Sequence, residues 1–463
     1  MKTYFFFPVL LLLAGCSYLT RSDYQRPTLS LPTQWKQTDS LDGGQDVENW
    51  WQRFNDPRLS RVIVQVLESN NDLALAAITL QKARVAAGLT ATNISPDVSV
   101  DSSASNSKSV RQGSEAQENY RSSISIGYEL DLWGKLMHAR EQSQWEAMAG
   151  AQDYEATILS TIGTTAQLYW SIALYNQQIR NQREGLVISE QTVQQVESWF
   201  RAGKVGQLDV LQAQQALLSR QNQLRELKQQ RDNARNALAL LLNRPSEQHT
   251  DEAIFLDVNQ NVPVMQSTPL QVISRRPDIR AAESRLRAAL AGYDASRLRF
   301  YPSLSLNSSL EAGSQLFSQW FRDPIRTVGS SLTLPFIQWN TTQLTIQQAD
   351  LHIKEAAITF RSTSYAALAE VDNAMEKRLS ADEQRSRLRQ SIVLSQKRHV
   401  LTESRYRAGA VDFQTLLNAQ DDVLTLENNL AQTQYDYLYA TLQLWLALGG
   451  GEMQYRIINH YVE

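Results

Sequence analysis

From Pro57 the apolar residues fall at helical spacing. Leu59, Val62, Ile63, Val66 and Leu67 stand three or four apart, and the pattern runs to about Asn93 before Pro96 stops it. Beyond Pro96 the period changes to two: Val98 and Val100 alternate with small polar residues towards Lys108. After a polar stretch near 109–119, Ile124, Ile126, Tyr128 and Leu130 alternate with Ser, Gly and Glu. This spacing predicts a β-hairpin over about 97–131, with strands of about ten residues. The same switch recurs 206 residues later. Pro302 precedes Leu304, Leu306 and Leu310, then a loop with Phe317, Trp320 and Phe321, then a return through Val328, Leu332 and Leu334, giving a second hairpin over about 303–336.

Each hairpin leads into an unusually long helical pattern. Residues 135–201 contain no proline, and residues 340–407 contain neither glycine nor proline. At 1.5 Å per residue, each predicts a helix of about 100 Å. Return helices are predicted over 205–243 and 411–448. The first is followed by an interruption at 244–268 holding Pro245 and Pro263, then by further helix over 270–300. The second stops at Gly449-Gly450-Gly451, and residues 57–93 supply its missing upper part. Arg201-Ala202-Gly203 recurs as Arg407-Ala408-Gly409 at the same offset. A period this long exceeds the roughly 20–50 residues of a solenoid repeat. The chain therefore reads as an internal duplication, with a first repeat at 57–268, a second at 269–451 and a C-terminal tail at 452–463.

Strands of about ten residues suit a tilted membrane barrel, and Ser, Asn and Gly leave one face polar. Four strands cannot close a barrel, and open edges do not survive in lipid. Three chains supply twelve strands around an open lumen, whereas two supply eight around a lumen filled by side chains. The expected fold is mainly α with a transmembrane β-barrel, assembled as a homotrimer. Long helices with narrow apolar seams need partners of their own.

The N-terminus carries Lys2, an apolar run from Tyr4 to Leu13, and then Leu13-Ala14-Gly15-Cys16. This predicts a signal peptide over 1–15, since the run is too short to span a bilayer as an ordinary helix. Leu-Ala-Gly-Cys resembles the bacterial lipobox, whose cysteine becomes the acylated first residue; Ser17 directs such a lipoprotein to the outer membrane. Residues 16–56, with Pro27, Pro32 and Trp50-Trp51, read as an acylated extended tail that packs along something larger. Cys16 is the only cysteine, so no intramolecular disulfide forms. A net charge of −3 suggests no nucleic-acid partner. The five His residues show no paired metal spacing, and no nucleophile elbow or phosphate-cradling loop is present. No cofactor, metal or enzymatic activity is expected.

With these features in order, the chain resembles the outer membrane factor family, the TolC-like export ducts, and within it the lipidated branch serving resistance-nodulation-division pumps. The marks are Asp23-Tyr24-Gln25-Arg26-Pro27, Tyr128-Glu129-Leu130-Asp131-Leu132-Trp133-Gly134, Arg276-Pro277-Asp278-Ile279 and the two Arg-Ala-Gly tips. The resemblance implies a twelve-stranded β-barrel in the outer membrane, continuous with a twelve-helix α-barrel crossing the periplasm. It also implies an inner end that opens with help from an adaptor protein and an inner membrane pump. Passive export of drugs or other small toxic compounds is the expected function. An exit duct for secreted polypeptides is the alternative within the family, and a pore-less coiled-coil lipoprotein the alternative outside it. The alternating hairpins weigh against the latter.

Gly203 and Gly409, with Arg201 and Arg407 in the last helical turns, suit left-handed helix caps. By family analogy the same tips form the adaptor-docking mouth. Six and nine residues beyond each tip glycine stand Asp209 and Gln212 in one copy, and Thr415 and Asn418 in the other. Family members often place acids there to ring a constriction, so the neutral second copy departs from the pattern. Tyr406 is a candidate to hold the mouth shut by a hydrogen bond across helices; a solvated Asp209 and a Tyr406 packed in the seam are the plainer reading. Trp133, Trp320 and Trp339 stand at strand ends, where aromatic residues sit at headgroup level, although simple packing also suits Trp133.

Overall fold

The changes of period at Pro96 and Pro302 mark the passage from helix to strand in the computed structural model, which describes residues 21–35, 49–110, 113, 115–248, 251–257, 261–264 and 267–450. In the first copy, α1 (Pro57–Ser69) and α2 (Asn71–Ala91) lead into β1 (Asp97–Ser107) and β2 (Gln117–Leu130), followed by α3 (Lys135–Arg201) and α4 (Gln207–Leu241). The second copy repeats the order with α5 (Pro269–Arg275), α6 (Pro277–Leu298), β3 (Ser303–Ser314), β4 (Ile325–Thr333), α7 (Trp339–Arg407) and α8 (Phe413–Ala447). The chain divides into two compact units. One holds the tail up to Leu29, Thr79–Gln152 and Asp278–Thr363; the other holds Ser30–Ile78, Asp153–Pro277 and the chain from Ser364.

The first unit contains the sheet, in antiparallel order β1-β2-β3-β4. Val98 stands opposite Ile126, Ile124 opposite Leu310, and Leu304 opposite Leu332. Every such pair joins two even or two odd positions, so one face runs across all four strands on even numbers. That face carries Val98, Val100, Ile124, Ile126, Leu306, Leu310, Val328 and Leu332, all exposed. The odd face carries Ser, Asn and Gly with Asp97, Asp101 and an Arg121–Glu311 ion pair of 2.9 Å. An apolar face left open on every strand is what lipid contact requires. Among the described residues, no helix is long and apolar enough to cross a membrane.

The tail is clamped onto this unit. Ser22 donates its backbone N–H and its hydroxyl to Asp294, at 2.8 and 2.6 Å, and Asp294 is only 2% exposed. Tyr24 donates to Glu283 at 3.1 Å, and the Arg287 guanidinium lies over the rings of both Tyr24 and Trp145. Partial burial, followed by the Glu283 charge, pushes the Tyr24 phenol up to about 12. Asp23-Tyr24-Gln25-Arg26-Pro27 thus acts as a strap on α6, and Arg26 adds an ion pair to Glu283 at 3.0 Å.

The second unit is built on aromatic packing. Trp50 and Trp445 are 0% and 1% exposed and stack at 5.6 Å, while Phe54 meets Trp170 at 4.8 Å. Helix ends obey the duplication closely. Asn243 and Gly449, 206 residues apart, both take positive φ, and each lies in a Schellman turn. Arg244 N–H bonds Ala239 C=O at 3.0 Å, and Gly450 N–H bonds Trp445 C=O at 2.9 Å.

The predicted helices over 57–93 and 270–300 are each broken once, at Asn70 and at Arg276. Pro277 removes an N–H and starts a new helix at its first position. At the equivalent place, Asn70 turns its side-chain oxygen to Leu73 N–H at 3.0 Å. Both breaking residues also reach a return-helix end. Asn70 Nδ2 donates to Leu241 C=O at 2.9 Å, and Arg276 Nη1 to Ala447 C=O at 3.2 Å. Two different side chains satisfy equivalent terminal carbonyls in the two copies.

Candidate functional site

In the helical unit both long helices end in a turn that only a left-handed residue can complete. Gly203 and Gly409 have φ of +70° and +73°. Lys204 N–H bonds Trp199 C=O and Ala410 N–H bonds Arg405 C=O, both at 2.9 Å, so each tip is a full Schellman turn. Nothing lies within 4 Å of a Cβ built at either glycine, so both tips are open. Arg201 and Arg407 are exposed beside them, and Arg407 pairs with Glu403.

A compact apolar cluster ties the two tips together behind these turns. Val196, Ala213, Phe413 and Leu416 are buried, with Val193, Val205, Val210 and Leu417 packed around them. Tyr406 is wedged into the cluster, its ring 5.7 Å from Trp199 and 5.5 Å from Phe413. Its hydroxyl is buried and has no hydrogen-bond partner among the described residues. Burial, with the nearby Asp209 carboxylate, pushes this phenol up to about 12. Asp209 thus lies near enough to act on Tyr406 electrostatically, but the phenol finds no acceptor among the described residues.

The paired positions differ in environment as well as in charge. Asp209 and Gln212 are half-buried, while Thr415 and Asn418 are exposed, and Asn418 Oδ1 accepts from Gln414 at 2.9 Å. Yet the second copy does not lack an acid. Asp412 is the N-cap of α8, accepting from Thr415 N–H at 2.8 Å and from the Thr415 hydroxyl. These hydrogen bonds, the hydroxyl's first, hold the Asp412 carboxyl below the usual carboxylate range. The first copy has Gly206 at that cap, with no side-chain bond, and carries its acid in the first turn as Asp209. Each tip thus has one carboxylate at a helix N-terminus, where the dipole favours negative charge. Sequence reasoning missed Asp412 because the offset pairs it with a glycine; the Asp-x-x-Thr capping pattern was the available signal.

Deeper in the helical unit, Arg220 of α4 is 7% exposed and pairs with Asp421 of α8 at 2.6 Å. A Cβ on Gly185 would come within 2.8 Å of the Arg220 guanidinium, so that glycine makes room for the pair. The three tryptophans belong to the sheet-bearing unit. Trp133 donates to Pro302 C=O at 2.8 Å and packs on Tyr301, Trp320 is half-buried in an aromatic group, and Trp339 is 62% exposed. Cys16 lies outside the described residues.

Residues 62–244 and 268–450 each match the family of outer membrane efflux proteins, and the two matched segments are themselves 206 residues apart. The chain belongs to the outer membrane efflux protein family. It is 29% identical over 458 residues to the pyoverdine export outer membrane protein OpmQ of Pseudomonas putida, covering 96% of each chain. It is 26% identical over 454 residues to the cation efflux system protein CusC of Escherichia coli, covering 97% of this chain and 98% of that protein. In fold it is similar to the outer-membrane channel OprN, with a TM-score of 0.84, 25% identity, and coverage of 93% and 99%.

This efflux protein is accordingly an outer membrane channel component, the passive exit duct of a tripartite pump, and the family consists of channels rather than enzymes. Its fold is that of the family's trimeric channels, with strands for a β-barrel in one unit and long helices for a helical barrel in the other.

Proposed function

We propose that this duct carries drugs or other small toxic compounds, and that its two tips per chain are both adaptor-docking elements and periplasmic gate. Arg201 to Gly203 and Arg407 to Gly409 would receive the adaptor that links the duct to an inner membrane pump. Asp209, Gln212, Tyr406, Thr415 and Asn418, joined by Asp412, would control the aperture. The buried hydroxyl of Tyr406, without a partner among the described residues, is the observation that carries the gate. Leaving a buried hydroxyl unmade costs about 1–3 kcal/mol, a cost relieved if the closed trimer supplies an acceptor from a neighbouring chain. Relatives named for pyoverdine export and cation efflux support small solutes over polypeptides as cargo.

The test is conductance of purified trimers in planar bilayers. Wild-type protein should conduct poorly, and Asp209→Ala combined with Tyr406→Phe should raise conductance several-fold. Trimers that stay silent after both changes would count against this gate.

The same reading takes Cys16 as an acylated anchor in the outer membrane. Cys16→Ser should remove the acyl mass from the mature protein by mass spectrometry and weaken its retention in membrane fractions. An unchanged mass would show that no lipid is attached there.

A further inference from the structure

The odd-numbered face of the sheet, opposite the lipid face, is the wall of the lumen, and its charges do not balance. Cross-strand partners always share parity, so this wall can be read strand by strand. It bears four acids, Asp97 and Asp101 of β1, Glu129 of β2 and Glu311 of β3, against one base, Arg121. Arg121 is paired with Glu311 at 2.9 Å, and Glu129 is held by Lys135 at the start of α3. Asp97 and Asp101 are exposed and have no ion-pair partner among the described residues.

Their neighbours across the sheet leave them open to water. Asp97 stands in a row with Gly127, Asn307 and Gly329, and Asp101 in a row with Ser123, Glu311 and Ile325. The first row is small and neutral, and the second adds an already paired acid rather than a counter-charge. β1 is an edge strand, so its other neighbour in a closed barrel is β4 of the next chain. The odd residues of β4 are Ile325, Thr327, Gly329, Ser331 and Thr333, while its one cation, Arg326, is on the even face. Closing the barrel therefore brings no positive strand residue to the inner wall beside β1, in any register that keeps the apolar residues towards lipid. Lys108 lies seven positions beyond Asp101, about 23 Å along an extended strand and more than twice the Debye length of about 10 Å at 0.1 M salt.

We infer that Asp97 and Asp101 make the barrel a cation-preferring exit. In a trimeric channel each becomes a ring of three carboxylates, the two rings about 13 Å apart along the strand. Acidic rings in a water-filled passage raise the local concentration of cations and lower that of anions. Among solutes of one size, cationic ones leave ahead of anionic ones. The inference rests on the sheet being a barrel wall, and not on the gate or the cargo proposed above.

Charged thiol reagents test it on the intact trimer. Ser99 lies on the same face between the two aspartates, and Cys16 is the only native cysteine, so the trimer without Ser99→Cys serves as the blank. The Ser99→Cys variant is treated from the outer side with a cationic and an anionic methanethiosulfonate of similar size. Relative to free cysteine, the cationic reagent should react roughly fivefold faster than the anionic one at 0.1 M salt, and the preference should fade at 1 M, where the Debye length is about 3 Å. Adding Asp97→Asn and Asp101→Asn should abolish it. A reactive thiol without charge preference overturns the inference, whereas a thiol that neither reagent reaches overturns the barrel wall beneath it, so the two failures are told apart. Reagents that enter from outside do not depend on the periplasmic mouth. In planar bilayers under a KCl gradient, the same two Asp→Asn changes should move the reversal potential towards zero with Asp209 and Asp412 left in place. An unmoved potential would assign the preference to the mouth and overturn the role given to the wall.

Discussion

Trp445→Ala should lower the stability of the folded chain by about 3–5 kcal/mol, among the largest losses expected from any single substitution. Trp445 is 1% exposed and stacks on Trp50, which is fully buried and also meets Trp51 and Phe54 edge-on. Removing the indole therefore opens a cavity and leaves the tail-borne Trp50 without its stacking surface. The loss should appear as a lower thermal midpoint of the detergent-solubilised protein by far-ultraviolet circular dichroism. Trp50→Ala should cost a similar amount, and the double variant less than the sum, because one contact is counted in both. A midpoint unmoved by Trp445→Ala would mean that the tail aromatics do not hold this unit.

Replacing both tip glycines by valine should reduce export to the level of a strain lacking the gene, while replacing both by asparagine should largely preserve it. At φ near +70° a β-branched residue is strongly strained, at roughly 1–2 kcal/mol or more per site, whereas asparagine tolerates the left-handed region. Valine breaks the Schellman turns without touching the apolar cluster behind them. The measurement is drug susceptibility of cells carrying each variant, with outer membrane trimer quantified in parallel. Full resistance in the valine variant at normal trimer levels would show that tip geometry is not what the adaptor reads.

The hairpins were legible because lipid does not blur their alternation. In a soluble sheet the apolar face is covered by other elements, but here Val98, Val100, Ile124 and Ile126 remain exposed on one side, and the sequence carries that contrast directly. The long helices were legible from their lack of proline. Less visible were the breaks at Asn70 and Arg276, since what justifies them is a carbonyl at the far end of another helix: Leu241 for Asn70, Ala447 for Arg276. No local pattern announces a partner about 171 residues away.

The mouth shows a related limit. Aligning the copies at a fixed offset set Asp209 against Thr415 and suggested a missing charge, yet the acid has only moved three positions towards the turn, to the cap at Asp412. An N-terminal helix charge can be supplied from the cap or from the first turn at similar benefit, so the copies diverged in position while keeping the carboxylate. Trp50 and Trp51 were recognisable as packing residues, but their stacking partner Trp445 was not, because nothing in the tail encodes the far end of the chain.

The sheet's numbering has an evolutionary corollary. Since cross-strand partners always share parity, inserting or deleting one residue within a strand would carry every side chain beyond it from the lipid to the lumen. Changes of two residues would preserve both surfaces, and the loops joining β1 to β2 and β3 to β4 could absorb any number. Descendants of this chain are therefore free to remodel what faces the outside world, such as a surface met by phage or antibody, by gaining and losing loop residues, while the strands between can change in kind but not in odd count.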